Sequence, residues 1–236
     1  MIDSLSGYEL DVPANSIVVE IPSKAIKALL MFNLFSKSKN QKNVIIKKSS
    51  TAELSSIDEF TKCSKVELGY ASTISRNCVL RGPIKIGRYC QIGPGVKMFT
   101  REHPYKTISI YTNNNLFEGR RKQLLKAQPI TIGNDVWIGA NAVIIKGVKI
   151  GSGAVIGAGT IVKDDVPPYA IYVGNPGKIV KYRFDDEIID LLLNSKWWML
   201  NKNELEEHED LFKRDLTENN FETKELLKKF CLKCQK

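Results

Sequence analysis

The chain has 236 residues, with 35 basic against 26 acidic side chains and a formal charge of +9. Its 43% hydrophobic and 26% charged content is that of an ordinary globular protein, which excludes the disordered and collagen-like classes. The presence of only two histidines excludes every mechanism that needs a three-histidine metal site.

The opening residues, MIDSLSGYEL, do not read as an apolar leader. Its cysteines, Cys63, Cys78, Cys90, Cys231 and Cys234, have no framework spacing, so a reducing, cytoplasmic setting is expected. The stretch AIKALLMFNLF, from Ala25 to Phe35, is far shorter than the roughly 20 residues of a membrane span and predicts a short helix. That helix could cap a stack of repeats or lie on a membrane surface or lipid-linked substrate. NVIIKK and TAELSSI predict an irregular first coil, so residues 1–67 read as an N-terminal segment.

From Leu68 the chain reads in sixes: LGYAST, ISRNCV, LRGPIK, IGRYCQ, IGPGVK, MFTREH. A second run starts at Ile132: IGNDVW, IGANAV, IIKGVK, IGSGAV, IGAGTI, VKDDVP. First positions are apolar, and fifth positions in the second run are small or β-branched. Six is a multiple of the strand period of two, so first and fifth positions face one side and the sixth faces the other. Three such strands close a triangular coil of about 18 residues, and coils stacked about 4.8 Å apart bury a continuous apolar column. Four hexads of the second run carry glycine second, where a corner free of Cβ is expected. The string GSGAVIGAG is not a dinucleotide fingerprint, because its spacing differs and the hexads continue through it with no helix. Cys78 and Cys90 fall on fifth positions and should face the core.

The two runs are out of phase, so a loop is inserted at about 103–129, reading HPYKTISIYTNNNLFEGRRKQLLKAQ up to Pro129. Long excursions from compact repeats are usually functional or mobile. His103 stands at its entrance on an outward sixth position. From the residues alone it reads either as an exposed loop histidine or as a general base. Glu102 is a potential orienting partner, although strand alternation sends adjacent side chains to opposite sides. Trp137, also on a sixth position, reads either as a wall of a site on the same face as His103 or as a subunit contact.

After Arg183 the pattern turns helical, and residues 184–236 form a tail. Asp185 and Asp186 are suitable caps for a helix whose Ile188, Ile189, Leu192, Leu193 and Trp197 recur at three- and four-residue spacing. The end, KELLKKFCLKCQK, predicts a basic amphipathic helix, solvated or in contact with anionic lipid or polymer. Its C-x-x-C lacks the second pair a zinc site needs and reads as an exposed, nonspecific pair.

From Leu68 to Arg183, and most specifically over PITIGNDVWIGANAVIIKGVKIGSGAVIGAGTIVKDDVPPYAIYVGNPGKIVKYRF, the chain resembles the hexapeptide-repeat acyltransferases, in their xenobiotic and sugar O-acetyltransferase branch. The resemblance implies an all-β solenoid, a left-handed parallel β-helix over 68–183. The hand comes from the resemblance, since the general crossover rule predicts the opposite. IGPGVKMFTREHPY looks like the segment carrying that family's catalytic histidine, which makes His103 the general base. Imidazole, with an ordinary pKa of about 6.5, suits removal of a hydroxyl proton at neutral pH.

The resemblance further implies acetyl-CoA as co-substrate, no metal, and a homotrimer with active sites between subunits. By position, Ala140, Ala158, Gly159 and Lys163 would line the pantetheine groove. Pro176, Lys178 and Lys181, and less directly Arg183, would meet the nucleotide and its phosphates. Lys178 replaces an arginine common in relatives, which keeps the charge but not a bidentate contact. Tyr105, Tyr111 and Trp137 are the candidates for acceptor binding. The expected activity is O-acetylation of a sugar hydroxyl in bacterial capsule or lipopolysaccharide modification. Alternatives are a chloramphenicol- or streptogramin-type acetyltransferase, an amino-sugar N-acetyltransferase, or a non-catalytic β-helix scaffold. The positive charge then suits a phosphate-rich cofactor before nucleic acid.

Overall fold

The computed structural model describes residues 16–18, 45–47, 50–218 and 221–234. The helix expected between Lys24 and Phe35 lies outside the described residues. Parallel backbone pairing sorts the hexads into three faces. On the first, Ile57, Ile74, Ile92, Ile138, Ile156 and Tyr172 succeed one another in register. The second carries Cys63, Leu80, Met98, Ile144 and Val162. The third carries Leu68, Ile86, Ile132 and Ile150, with Val166 bridged to Ile150. All of these side chains are buried, so the first positions of the hexads form one column. The fold is therefore a parallel β-solenoid.

Pairing reaches back beyond the clean hexads. Ile45–Lys47 lies parallel to Lys62–Ser64, Ser50 and Thr51 pair with Glu67 and Leu68, and Ser16–Val18 runs antiparallel to Ser50–Ala52. The period is hidden there because Lys62–Leu68 shifts register against Val79–Ile86 between Ser64 and Val66. Cys63 and Leu68 consequently stand five residues apart while both face the core.

The role expected for second-position glycine is corrected. Left-handed backbone falls on the fourth position instead, at Asn77, Tyr89, Asp135, Asn141 and Gly153 among others. The second position is where coils touch. A Cβ on Gly139 would stand 2.5 Å from the backbone nitrogen of Ala158, nearer than any real Cβ contact.

Beyond Val166 the strand Ala170–Gly174 completes the stack, and Gly177–Tyr182 folds back on it antiparallel. Asp185 then caps the helix Asp186–Ser195 by accepting from the Ile188 N–H at 2.9 Å. Its Ile188, Ile189 and Leu192 pack with Tyr169 of the column and with Leu227, Phe230 and Cys231 of the last helix, Phe221–Cys234. This corrects two expectations. The tail helix is docked rather than solvated, with Lys228 paired to Glu187 at 3.1 Å and Lys224 to Asp185 at 3.7 Å. The C-x-x-C is not an exposed pair either, because Cys231 is buried in this second core and Cys234 is half-buried. Among the described residues no helix is long and apolar enough to cross a membrane.

Two outcomes follow from this packing. Gly139→Ala should lower stability by about 1–3 kcal/mol, as overpacking does, and a lowered urea midpoint would register it. Burial pushes the Cys63 thiol up to about 12 and Cys90 to about 11, and raises Cys78 as well. A thiolate-seeking reagent at neutral pH should therefore leave these three unlabelled in the folded chain and modify them only in denaturant. Their labelling in the native protein would contradict the column as described.

Candidate functional site

Among the described residues the column is interrupted once. Ile132 stacks directly on Ile86, yet 46 residues separate them where 18 complete a coil. The chain leaves after the strand Lys97–Phe99 and is pinned where it leaves and where it returns. Gln128 N–H donates to Thr100 O at 2.8 Å, and the Thr100 hydroxyl donates to Arg81 O at 2.9 Å. Lys146, from the next coil, pairs with Glu102 at 2.9 Å and donates to Gln128 Oε1 at 3.2 Å. Glu102 is thus engaged by Lys146 and does not orient His103.

His103 lies at the mouth of this excursion, exposed, with Nδ1 at 2.9 Å from the carbonyl oxygen of Ile110. A carbonyl can only accept, so in the neutral ring Nδ1 carries the proton and Nε2 keeps the lone pair. The ring that this bond closes, from 103 to 110, is braced internally. The Thr107 hydroxyl meets Pro104 O at 2.9 Å and Ser109 O at 2.8 Å. Arg121 reaches back to it: Nε donates to Tyr111 O at 3.1 Å, and Nη2 donates to the Thr107 hydroxyl at 2.8 Å and to Ser109 O. Lys122 holds Asn114 at 2.6 Å.

The expected cofactor positions divide between two edges of the prism. Ala140, Ala158 and Gly159 lie where the Ile138 face turns into the Ile144 face, and Gly159 N–H donates to Ala140 O at 2.8 Å. The terminal hairpin brings Pro176 to the same edge, with Gly174 N–H donating to the Thr160 hydroxyl at 3.1 Å. Lys178 and Lys181 follow on the exposed returning strand. Lys163 lies one face further on, past Ile161–Val162, at the edge from which the excursion departs, and pairs with Asp164 at 3.3 Å. Between the two edges the outward positions are Lys97, Val143 and Ile161. One face of the column therefore has His103 along one border and the Ala140–Pro176 strip along the other.

Two candidates are placed elsewhere. Trp137 is 57% exposed on the Ile138 face between Gln91 and Val155, so a single chain does not bring it onto the face His103 borders. Arg183 does not reach toward a phosphate position. It is paired with Asp135 at 3.1 Å, donates to Gly153 O at 2.8 Å and stacks on Tyr169 and Phe184, tying the helical part to the column. Tyr105 and Tyr111 lie in the excursion with exposed rings, Tyr105 beneath the Lys106 ammonium. Among the described residues no group of three or more His, Cys, Asp or Glu side chains could hold a metal.

The family model described as "Bacterial transferase hexapeptide (six repeats)" matches residues 129–164. A chloramphenicol acetyltransferase of Agrobacterium fabrum is 43% identical over 121 residues, 48% of this chain and 58% of that protein. A probable macrolide acetyltransferase of Lysinibacillus sphaericus is also 43% identical, over 48% of this chain and 67% of its own length. The chain belongs to the hexapeptide-repeat acetyltransferases. Its solenoid is the left-handed parallel β-helix of that family, with a helical C-terminal part. A solved relative, a hexapeptide-repeat acetyltransferase from Vibrio cholerae, shares 32% identity over 54% of this chain and 70% of its own, with a TM-score of 0.46. The chain spans 58% of the chloramphenicol acetyltransferase's length.

Two parts of this hexapeptide-repeat site escape a sequence reading. Ile110 contributes a carbonyl, which no side chain announces, and Arg121 is one of several basic residues in its segment until the excursion's path is known. Since Glu102 serves the base of the excursion, Glu102→Gln should cost about 1 kcal/mol or less of stability. A small drop in the urea midpoint would register it.

Proposed function

We propose that the protein is an acetyl-CoA-dependent O-acetyltransferase that modifies a sugar hydroxyl, with His103 as general base. The observation that carries this reading is the Nδ1 hydrogen bond to Ile110 O, which in the neutral ring selects the tautomer with the lone pair on Nε2, at the border of the Ile144 face. Nε2 removes the acceptor's hydroxyl proton as its oxygen bonds to the thioester carbonyl carbon. The C–S bond then breaks, and the imidazolium returns its proton to the departing sulfur. Backbone N–H groups of the coils or excursion stabilise the transient oxyanion.

The opposite border suits the pantetheine arm. Ala140 and Ala158 have the smallest side chains available beyond glycine, and a Cβ built on Gly159 meets nothing within 4 Å, so the strip offers open backbone. Pro176 would pack near the adenine, with Lys163, Lys178 and Lys181 supplying charge for the phosphates. A homotrimer would complete each site between subunits and could deliver Trp137 from a second copy. The free cysteines fit a cytoplasmic setting, and for the sugar acceptor we favour a role in capsule or lipopolysaccharide modification. Aromatic rings exposed beside the base, Tyr105 and Tyr111, suit the apolar face of a hydrated sugar.

A second reading, a xenobiotic acetyltransferase, is favoured by the names of the chloramphenicol and macrolide relatives. Both readings use the same base. Free-thiol release measured against a panel of sugars, nucleotide sugars and antibiotics separates them, and a resistance assay checks the second. With the acceptor so found, His103→Ala should lower kcat/KM on the order of 10²-fold or more, while His208→Ala in the helical tail changes it little. A His103→Ala protein that keeps most of its turnover defeats the assignment of the base.

A further inference from the structure

We infer that Arg121 is a positioning residue that sets the tautomer and aim of His103 by holding the Ile110 carbonyl in place. The inference rests on the reading of His103 as base, and its first observation is how the segment 103–111 is held. Packing does not hold it. Tyr105 and Ile110 are each at least 60% exposed, and Ile108 is fully exposed. What fixes Ile110 O is polar bracing on both sides of it, since Arg121 donates to the carbonyls of Ser109 and Tyr111 and to the Thr107 hydroxyl. The planar guanidinium can meet three acceptors at once, a geometry an ammonium cannot reproduce, and its charge strengthens each bond.

The neighbouring basic residues are turned to other tasks. Arg120 faces outward to Glu118 at 2.7 Å, and Lys122 serves Asn114. If Arg121 is removed, the Ile110 carbonyl is released from its flanking anchors. His103 then samples the tautomer protonated on Nε2, which cannot accept a proton there. The loss should appear in kcat, because the Ala140–Pro176 strip assigned to the pantetheine arm and adenine lies across the face from the excursion, and Arg121 has no contact with Lys163.

The chain has only two histidines, so the ring nitrogens of a 15N-labelled full-length protein can be assigned, with His208 as internal reference. The expected wild-type spectrum has His103 protonated on Nδ1. Arg121→Gln should shift its two nitrogens toward a mixture of tautomers without moving those of His208, and Arg121→Lys should lie between. In turnover, Arg121→Gln should lose about tenfold or more in kcat, with KM for acetyl-CoA little changed. Arg120→Gln, a matched loss of charge, should resemble wild type in both measurements.

A wild-type tautomer signature in Arg121→Gln overturns the inference, as does an equal effect from Arg120→Gln. Thermal melting of the column reports separately on folding. The tautomer measurement needs no substrate, so it decides the role of Arg121 even if His103→Ala retains activity and the base assignment itself fails.

Discussion

The close parallel approach of one coil to the next is the constraint on which the rest of this molecule depends. Two-residue strands such as Trp137–Ile138 cannot form a sheet by lateral growth within their own coil. They are stable only because each is bonded to the coil above and the coil below. That arrangement favours glycine where a corner of one coil presses on the next, as at Gly139 against Ala158, and a left-handed residue at most of the corners. It also demands one apolar residue per strand, which gives the uninterrupted isoleucine-rich column. Sequence period, glycine placement and core composition are three consequences of one spacing.

The same constraint explains how an excursion can be tolerated and made precise. A loop may leave the column only if it returns in register, and the bond from Gln128 N–H to Thr100 O re-closes the coil just before Ile130 resumes pairing with Ile84. The entropic cost of a longer closed loop grows only slowly with its length. Order inside the loop has to come from elsewhere. Its apolar side chains largely face outward, so the work falls to buried Thr112 and to the hydrogen bonds of Arg121, Thr107 and Lys122. A rigid column with a polar-braced loop gives a histidine a fixed position without burying it.

How much could be read in advance follows from the same division. Wherever every side chain obeys the coil, hexad position was enough to identify core residues, including Cys78 and Cys90, and the caps and apolar face of the helix after Arg183 were equally plain. Before Leu68 the sequence shows only an irregular first coil at NVIIKK and TAELSSI, because one register shift spoils the period there without disturbing burial. The last helix is legible as an amphipathic helix but its docking is not, because Leu227, Phe230 and Cys231 meet a partner helix that local spacing cannot name. His103 was visible as a type at an entrance. The carbonyl that holds it and the arginine that braces that carbonyl depend on a path through an irregular loop, for which no periodicity exists.

The distribution of charge carries the argument one step further. The helical tail contributes many of the lysines, yet Lys224, Lys228 and Lys233 all meet carboxylates of the same chain. Among the described residues, Arg101, Lys106, Lys126, Lys178 and Lys181, in the excursion or the returning hairpin, have no salt bridge, and neither have Lys62, Lys65, Arg76 and Lys149 on the column or Lys229 in the tail. Unpaired positive charge is therefore spread over the column and the tail as well, and only part of it stands beside the face bordered by His103 and the Ala140–Pro176 strip. Charge left unpaired on one side of a molecule raises the local concentration of anions there and accelerates their capture at low ionic strength. A polyphosphate donor is the ligand such a field would draw first. The share of the net charge that stands beside that face is what the proposed acyl transfer would draw on, and the rest is a general surface excess.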